Sequence, residues 1–183
     1  MKEIALHILD VAENCIAAEA DHVVISVKQV KEPGVLTIEI EDNGRGMSAE
    51  QTKMITDPFF TTRTTRMVGL GIPLIKQHAE LTGGELEIRS EQGKGTRVKA
   101  CFVMNHPDRQ PLGDLEGCWI LLAGANSAIE WELKCETEKG DFSISTSEIR
   151  AGLEVEEIRG SELTGLLKRM IRNNMEDIGM VPN

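Results

Sequence analysis

Val35-Leu36-Thr37-Ile38-Glu39-Ile40 runs through Glu41 into Asp42-Asn43-Gly44-Arg45-Gly46-Met47, and the reading of this stretch decides the fold. The first six residues alternate apolar with polar, the pattern of a half-buried strand. A strand ending in Asp-x-Gly-x-Gly sets a fixed carboxylate at the mouth of a pocket, with two glycines behind it. The carboxylate can accept a hydrogen bond from an amino group such as that of adenine. The glycines let the backbone pass under a flat ring with no Cβ in the way. Asp-Asn-Gly is also ordinary turn chemistry, so the neighbouring segments have to separate the two readings.

Upstream, residues 3–19 read as an amphipathic helix with Ile4, Ile8, Val11, Ala12 and Cys15 at helical spacing. Asp10 and Asn14 are four apart and share a face away from that stripe, with His7 one turn earlier. The Asn14 side-chain oxygen suits a hard cation, and Asp10 suits an acceptor or base. The plain alternative is a solvated helix face. Asp21 to Lys28 reads as a strand and Lys31 to Gly34 as a hairpin turn, which makes it an antiparallel neighbour of the Asp42 strand.

Downstream, Ser48 and Gln51 form a capping box for a short helix that ends before Asp57-Pro58. Phe59 to Val68 is polar, β-branched and basic, and reads as a lid anchored by Phe59 and Phe60. Arg63 and Arg66 would meet phosphate oxygens there; otherwise the segment is a surface loop with solvated arginines. Gly69-Leu70-Gly71 leads into a helix over Ile72 to Leu81 that Gly83-Gly84 ends. Free N–H groups at such a helix start favour an anion, although similar starts occur where none binds. Strands over Glu85 to Ser90 and Thr96 to Val103 flank a Gly93-Lys94-Gly95 turn.

Residues 105–113 read as a linker, dividing the chain into domains 1–104 and 114–183. The second region reads as a helix over Asp114 to Ala123, a hairpin of Ile129 to Thr137 with Phe142 to Thr146, and a short helix over Ser147 to Leu153. A last helix follows, capped by Ser161, with a stripe of Leu163, Leu166, Leu167, Met170, Ile171 and Met175. This region carries no chemical constellation, which leaves packing or partner contact as its role.

The chain has 183 residues, 40% of them apolar, and a formal charge of −10. That charge argues against nucleic acid and against an anionic membrane surface as partners. Without a membrane-length apolar run or a signal-peptide pattern, the expected location is cytoplasmic. Cys15, Cys101, Cys118 and Cys135 are scattered through apolar segments, and the four histidines are isolated in sequence, so no zinc site is expected.

In order and spacing, these segments resemble the ATP-binding domain of the GHKL superfamily of gyrase, heat-shock chaperone, histidine kinases and mismatch-repair ATPases. Glu13-Asn14-Cys15-Ile16-Ala17-Ala18-Glu19-Ala20 is similar to its N-box, Asp42 to Gly46 to its first glycine box, and Asp57 to Arg63 to the F-box and lid of sensor kinases. Val68-Gly69-Leu70-Gly71-Ile72 is similar to its second glycine box, and Gly93 to Thr96 to the last box. The resemblance covers residues 1 to about 104. It implies a two-layer α/β sandwich with a mixed, mainly antiparallel sheet and helices on one face, here followed by a small α+β C-terminal region.

The resemblance also implies ATP and Mg²⁺ as ligands. Asn14 would hold Mg²⁺, Asp42 the adenine amino group with Thr96 beside it, and Gly44, Gly46 and Met47 the base pocket. Gly69, Leu70 and Gly71 would present N–H groups to the phosphates. Asp10 falls where gyrase-like members place a catalytic glutamate, one methylene longer. The chain is similar to small stand-alone kinase-like and anti-sigma-type ATP-binding proteins. It is therefore expected to be an ATP-dependent protein kinase, of the histidine or the serine type, acting on a separate protein because the N-box helix begins at about Glu3. The alternatives are an ATP-gated regulatory binding module without phosphotransfer, or a slow ATPase. A homodimer is compatible with each.

Overall fold

The alternating stretch Val35–Asp42 lies inside a six-stranded sheet in a computed structural model that describes residues 3–56 and 71–180. Helix α1 spans Ile4–Ala17, followed by strands β1 (His22–Val30) and β2 (Val35–Asp42), then helices α2 (Ala49–Met54) and α3 (Gly71–Leu81). Strands β3 (Glu85–Glu91) and β4 (Gly95–Val103), helix α4 (Leu115–Ala125), strands β5 (Glu130–Thr137) and β6 (Gly140–Ser145), and helices α5 (Thr146–Leu153) and α6 (Ser161–Asp177) complete the order. The sheet runs β3-β4-β2-β1-β5-β6. It is a mixed, mainly antiparallel sheet, because β5 lies parallel to β1 while the other pairs are antiparallel.

The period-2 pattern decides which face is covered. Val23, Ile25 and Val27 of β1, Leu36, Ile38 and Ile40 of β2, Val98, Ala100 and Phe102 of β4, and Trp131, Leu133 and Cys135 of β5 are buried beneath the helices. The alternate residues form a charged face, with Arg97 on Glu39 at 2.7 Å and Lys28 on Glu136 at 2.6 Å. Such exposed pairs contribute roughly 0–1 kcal/mol each, so stability comes from the apolar face.

Helix α1 is central to the helix layer and packs on both α3 and α4. Its first N–H groups need acceptors that no side chain supplies, since Glu3 at the N-cap makes no capping bond. The carbonyls of Pro111 and Leu112 take this role, accepting from Ile4 N–H at 2.9 Å and Ala5 N–H at 2.8 Å. Residues 105–113, expected to be a linker, thus form a strap across the start of α1. Beyond the strap, β5 pairs with β1 and extends the same sheet.

Helix α6 differs from its expected form. Gly160, not Ser161, stands at the N-cap, and the buried line is Leu167, Ile171 and Met175, while Leu166 and Met170 are exposed. Two ion pairs explain the roll of this helix: Lys168 with Asp114 and Arg172 with Glu116, both reaching α4 from one flank of the buried line. At helical spacing, Leu166 and Met170 fall on the opposite flank and turn outward. Among the cysteines, Cys15 and Cys135 are buried as expected, whereas Cys101 and Cys118 are only partly covered.

Candidate functional site

One transverse row of the sheet carries polar side chains on the helix-covered face. Val23 of β1 faces Asp42 of β2, Asp42 faces Thr96 of β4, and Thr96 faces Ser90 of β3. Asp42 is buried, and its Oδ1 accepts the Gly44 N–H at 2.8 Å. Ser90 Oγ and Thr96 Oγ1 lie 2.8 Å apart, and Ser90 Oγ also accepts the Met47 N–H at 2.8 Å. An open depression of about 260 Å³ at this end of the sheet is lined by Asp42, Ser90, Gly95 and Thr96, with Glu91 and Lys94 among its other lining residues. It wraps over the sheet end to Glu41 and Arg97 on the charged face.

The glycines hold the backbone close around Asp42. A Cβ on Gly44 would come within 2.6 Å of the Ala18 carbonyl, just beyond α1. Gly95, at φ +105°, lies so close to the strand end that a Cβ would sit 1.8 Å from the Asp42 carbonyl oxygen. Gly46 has a positive φ and passes equally close to the Glu91 carbonyl. The loop is tied to α1 and β1 as well. Arg45 N–H donates to Ala18 O at 2.9 Å, Asn43 Oδ1 accepts from the N–H groups of Asp21 and His22 at 3.1 and 3.0 Å, and Asn43 Nδ2 donates to Asp21 Oδ1 at 2.6 Å.

Helix α1 carries the other candidate residues. Asn14 and Asp10 are half-buried, and a Cβ on Gly71 would meet the Asp10 Cβ at 3.0 Å. Cys15, the residue after Asn14, packs beside Asp42; burial, then the Asp42 carboxylate, holds its thiol well above the ordinary cysteine range. An elevated thiol is a poor nucleophile, so Cys15 serves packing here. Among the described residues, no group of three or more metal-ligand side chains forms a cluster. Asn14 would therefore need phosphate oxygens and water to complete a Mg²⁺ shell, which is how this hard ion commonly binds.

The structure thus brings Asp42, Gly44, Gly46, Met47 and Thr96 together at one sheet end, and Asp10 and Gly71 together at the α1–α3 contact, with Asn14 one turn further along α1. Arg63, Arg66, Gly69 and Leu70, with the expected lid and its Phe59 and Phe60 anchor, lie outside the described residues. Sequence reading missed Ser90 and Asn43. Ser90 carried a signal, since it follows Leu86 and Ile88 at period 2 on the same face. Asn43 looked like a turn residue, and its bonds to Asp21 and His22 appear only once β1 is beside it.

The family model for the histidine kinase-, DNA gyrase B- and HSP90-like ATPases matches residues 2–106, which include all of these positions. The chain belongs to this family. Among curated relatives it is similar to the sensor histidine kinase ZraS of Escherichia coli O157:H7, 32% identical over 106 residues covering 58% of this chain and 23% of that one. It is also similar to sporulation kinase C of Bacillus subtilis, 33% identical over 88 residues covering 48% of this chain and 20% of that one. The chain thus spans about a quarter or less of the length of these relatives. Among solved structures, the N-terminal domain of a DNA repair protein superposes with a TM-score of 0.56 at 18% identity, covering 79% of this chain and 52% of that one, which speaks to the fold alone. As a GHKL-type domain, the chain carries a histidine-kinase-like ATP-binding module. Among the described residues no helix is long and apolar enough to cross a membrane.

Proposed function

We propose that the protein binds ATP with Mg²⁺ between the Asp42 end of the sheet and the α1–α3 wall, and that it transfers the γ-phosphoryl group to a separate protein. The observation that carries the reading is the Asp42–Thr96–Ser90 row backed by Gly44 and Gly95. This is a buried carboxylate with one oxygen already fixed by Gly44 N–H, held at the sheet end by glycines that let the neighbouring backbone pack close. That carboxylate, with the Cys15 thiol beside it, suits the adenine amino group as an acceptor. Asn14 would take Mg²⁺ through its amide oxygen, and Gly69, Leu70 and Gly71 would give N–H groups to the phosphates. Arg63 and Arg66 would neutralise the γ-phosphate charge. Asp10 would accept the proton of the incoming nucleophile or orient it, with in-line placement providing most of the rate.

Transfer in trans is supported by the surroundings of the histidines. His7, three residues before Asp10 on α1, is fully buried with its Nε2 on Gln110 at 3.0 Å. His78 is engaged by the same glutamine, His22 sits beside Glu132 at 3.7 Å, and His106 lies in the strap. One relative is named a sensor histidine kinase and the other a sporulation kinase, which favours a protein acceptor.

Incubation with γ-labelled ATP and Mg²⁺ tests the proposal. The purified protein alone is expected to take up no stoichiometric acid-labile label. Addition of fractionated extract from its own cells should give label on a second protein, lost with Asp10→Asn. Stoichiometric acid-labile label on the protein itself, removed by His7→Ala, would show that the acceptor is internal and the reading wrong.

A further inference from the structure

Three elements that are far apart in sequence meet at a small polar cluster two turns before Asn14 on α1. His7 of α1 and His78 of α3 have ring centroids 4.9 Å apart and are tilted by 55°. Gln110 of the strap lies between them, with Oε1 at 3.0 Å from His7 Nε2 and Nε2 at 3.3 Å from His78 Nε2. An amide has one donor end and one acceptor end, so the two imidazoles must hold complementary roles: His7 donates from Nε2 while His78 accepts at Nε2. Turning the amide over would swap both roles at once. It would also place the His7 proton on Nδ1, which is buried with no partner, so the first arrangement is the one the surroundings favour. Burial lowers both histidines, His7 to about 4, which keeps this pair neutral at physiological pH.

The cluster sits where it can set the geometry of the nucleotide site. His7 is one turn from Asp10 and two from Asn14 on α1, and Asp10 in turn abuts Gly71 at the first turn of α3. The same strap holds the start of α1 through Pro111 and Leu112. Resting on the nucleotide reading above, we infer that Gln110 is a positioning residue of that site. It clamps α1 to α3 from outside the family-matched boxes and fixes the spacing of the phosphate and Mg²⁺ wall without touching ligand. The adenine side of the site is held by the pairing of β2 with β1 and β4 as well as by the end of α1, where Arg45 N–H donates to Ala18 O. Loss of the clamp should therefore weaken recognition of the phosphates more than recognition of the base.

The test compares the full-length wild type with Gln110→Ala and Gln110→Glu, measuring affinity for ATP with Mg²⁺ by calorimetry and for adenosine by competition. The histidine ring ¹⁵N shifts are recorded in the same samples. Gln110→Ala is expected to lower ATP affinity about fivefold to tenfold, to leave adenosine affinity within twofold, and to move the His7 and His78 ring shifts. Gln110→Glu keeps an acceptor for His7 and bridges to His78 once that ring takes its Nε2–H tautomer, and should stay within about twofold of wild type for ATP. Ile149→Val, in a buried position on α5 away from the site, provides a stability control and should leave both affinities unchanged. If wild type binds ATP and Gln110→Ala binds it equally well, the clamp is refuted while the nucleotide reading stands. Equal loss of ATP and adenosine affinity in Gln110→Ala, or matching losses in Ile149→Val, would also refute it. If wild type binds no ATP, the nucleotide reading itself fails.

Discussion

Asp42→Asn lowers the affinity for ATP tenfold or more. The substitution keeps the shape of a buried side chain whose Oδ1 receives the Gly44 N–H at 2.8 Å. An asparagine has only one acceptor oxygen, and the Gly44 N–H claims it. The NH₂ group is then turned toward the base, where it faces the adenine amino group donor to donor. A buried polar group left unsatisfied costs about 1–3 kcal/mol, and about 1.4 kcal/mol is a factor of ten in affinity. Because the Gly44 bond survives, thermal stability without nucleotide should hardly change, which separates a binding defect from a folding defect. Calorimetry giving equal ATP affinity for Asp42→Asn and wild type would remove Asp42 from the site.

Gly95→Ala is expected to be the most damaging single substitution for the fold near the site. Gly95 has φ +105°, a region that side chains other than glycine rarely enter, and a Cβ there would lie 1.8 Å from Asp42 O and 2.8 Å from the Asn43 Cα. Backbone strain of about 1–3 kcal/mol adds to an overpacking term of similar size, so a loss of about 3 kcal/mol is expected. The contacting atoms are backbone at the end of β2 and of the residue after it, which cannot swing aside as a side chain can. Strand pairing at Asp42 and Thr96 must open instead. Gly93, two residues earlier, is the natural control. It also has a positive φ, but nothing lies within 4 Å of its would-be Cβ. Gly93→Ala should carry the conformational cost alone, about 1–2 kcal/mol. Urea unfolding gives the comparison, with the midpoint of Gly95→Ala well below that of Gly93→Ala at a similar m-value. Coincident midpoints would mean that the close approach at Gly95 is not limiting.

Most elements were legible because local rules set them. The alternation of β1 and β2, the Ser48–Gln51 capping box and the glycines that end α3 each act within a few residues, and each reappears in the structure. The capping box closes with Ser48 N–H on Gln51 Oε1 at 2.9 Å and Gln51 N–H on Ser48 Oγ at 3.2 Å. Asp42 and Thr96 were legible from their motifs, but their direct opposition depends on the β2–β4 register. What escaped is long-range. The parallel pairing of β5 with β1 leaves no trace in either strand alone. His7, His78 and Gln110 look like three unrelated polar residues until α1, α3 and the strap are brought together. The stripe on α6 was read too wide, because apolar spacing does not reveal which flank the ion pairs to α4 will claim.

The most direct measurement is the thermal midpoint of the full chain as ATP is titrated with and without Mg²⁺, paired with calorimetry for stoichiometry. A ligand that binds only the native state raises the midpoint steadily with the logarithm of its concentration. The expected result is one ATP per chain, a rising midpoint, and a larger rise with Mg²⁺ than without it. A midpoint that stays flat up to millimolar ATP, in both the presence and the absence of Mg²⁺, would contradict the nucleotide site.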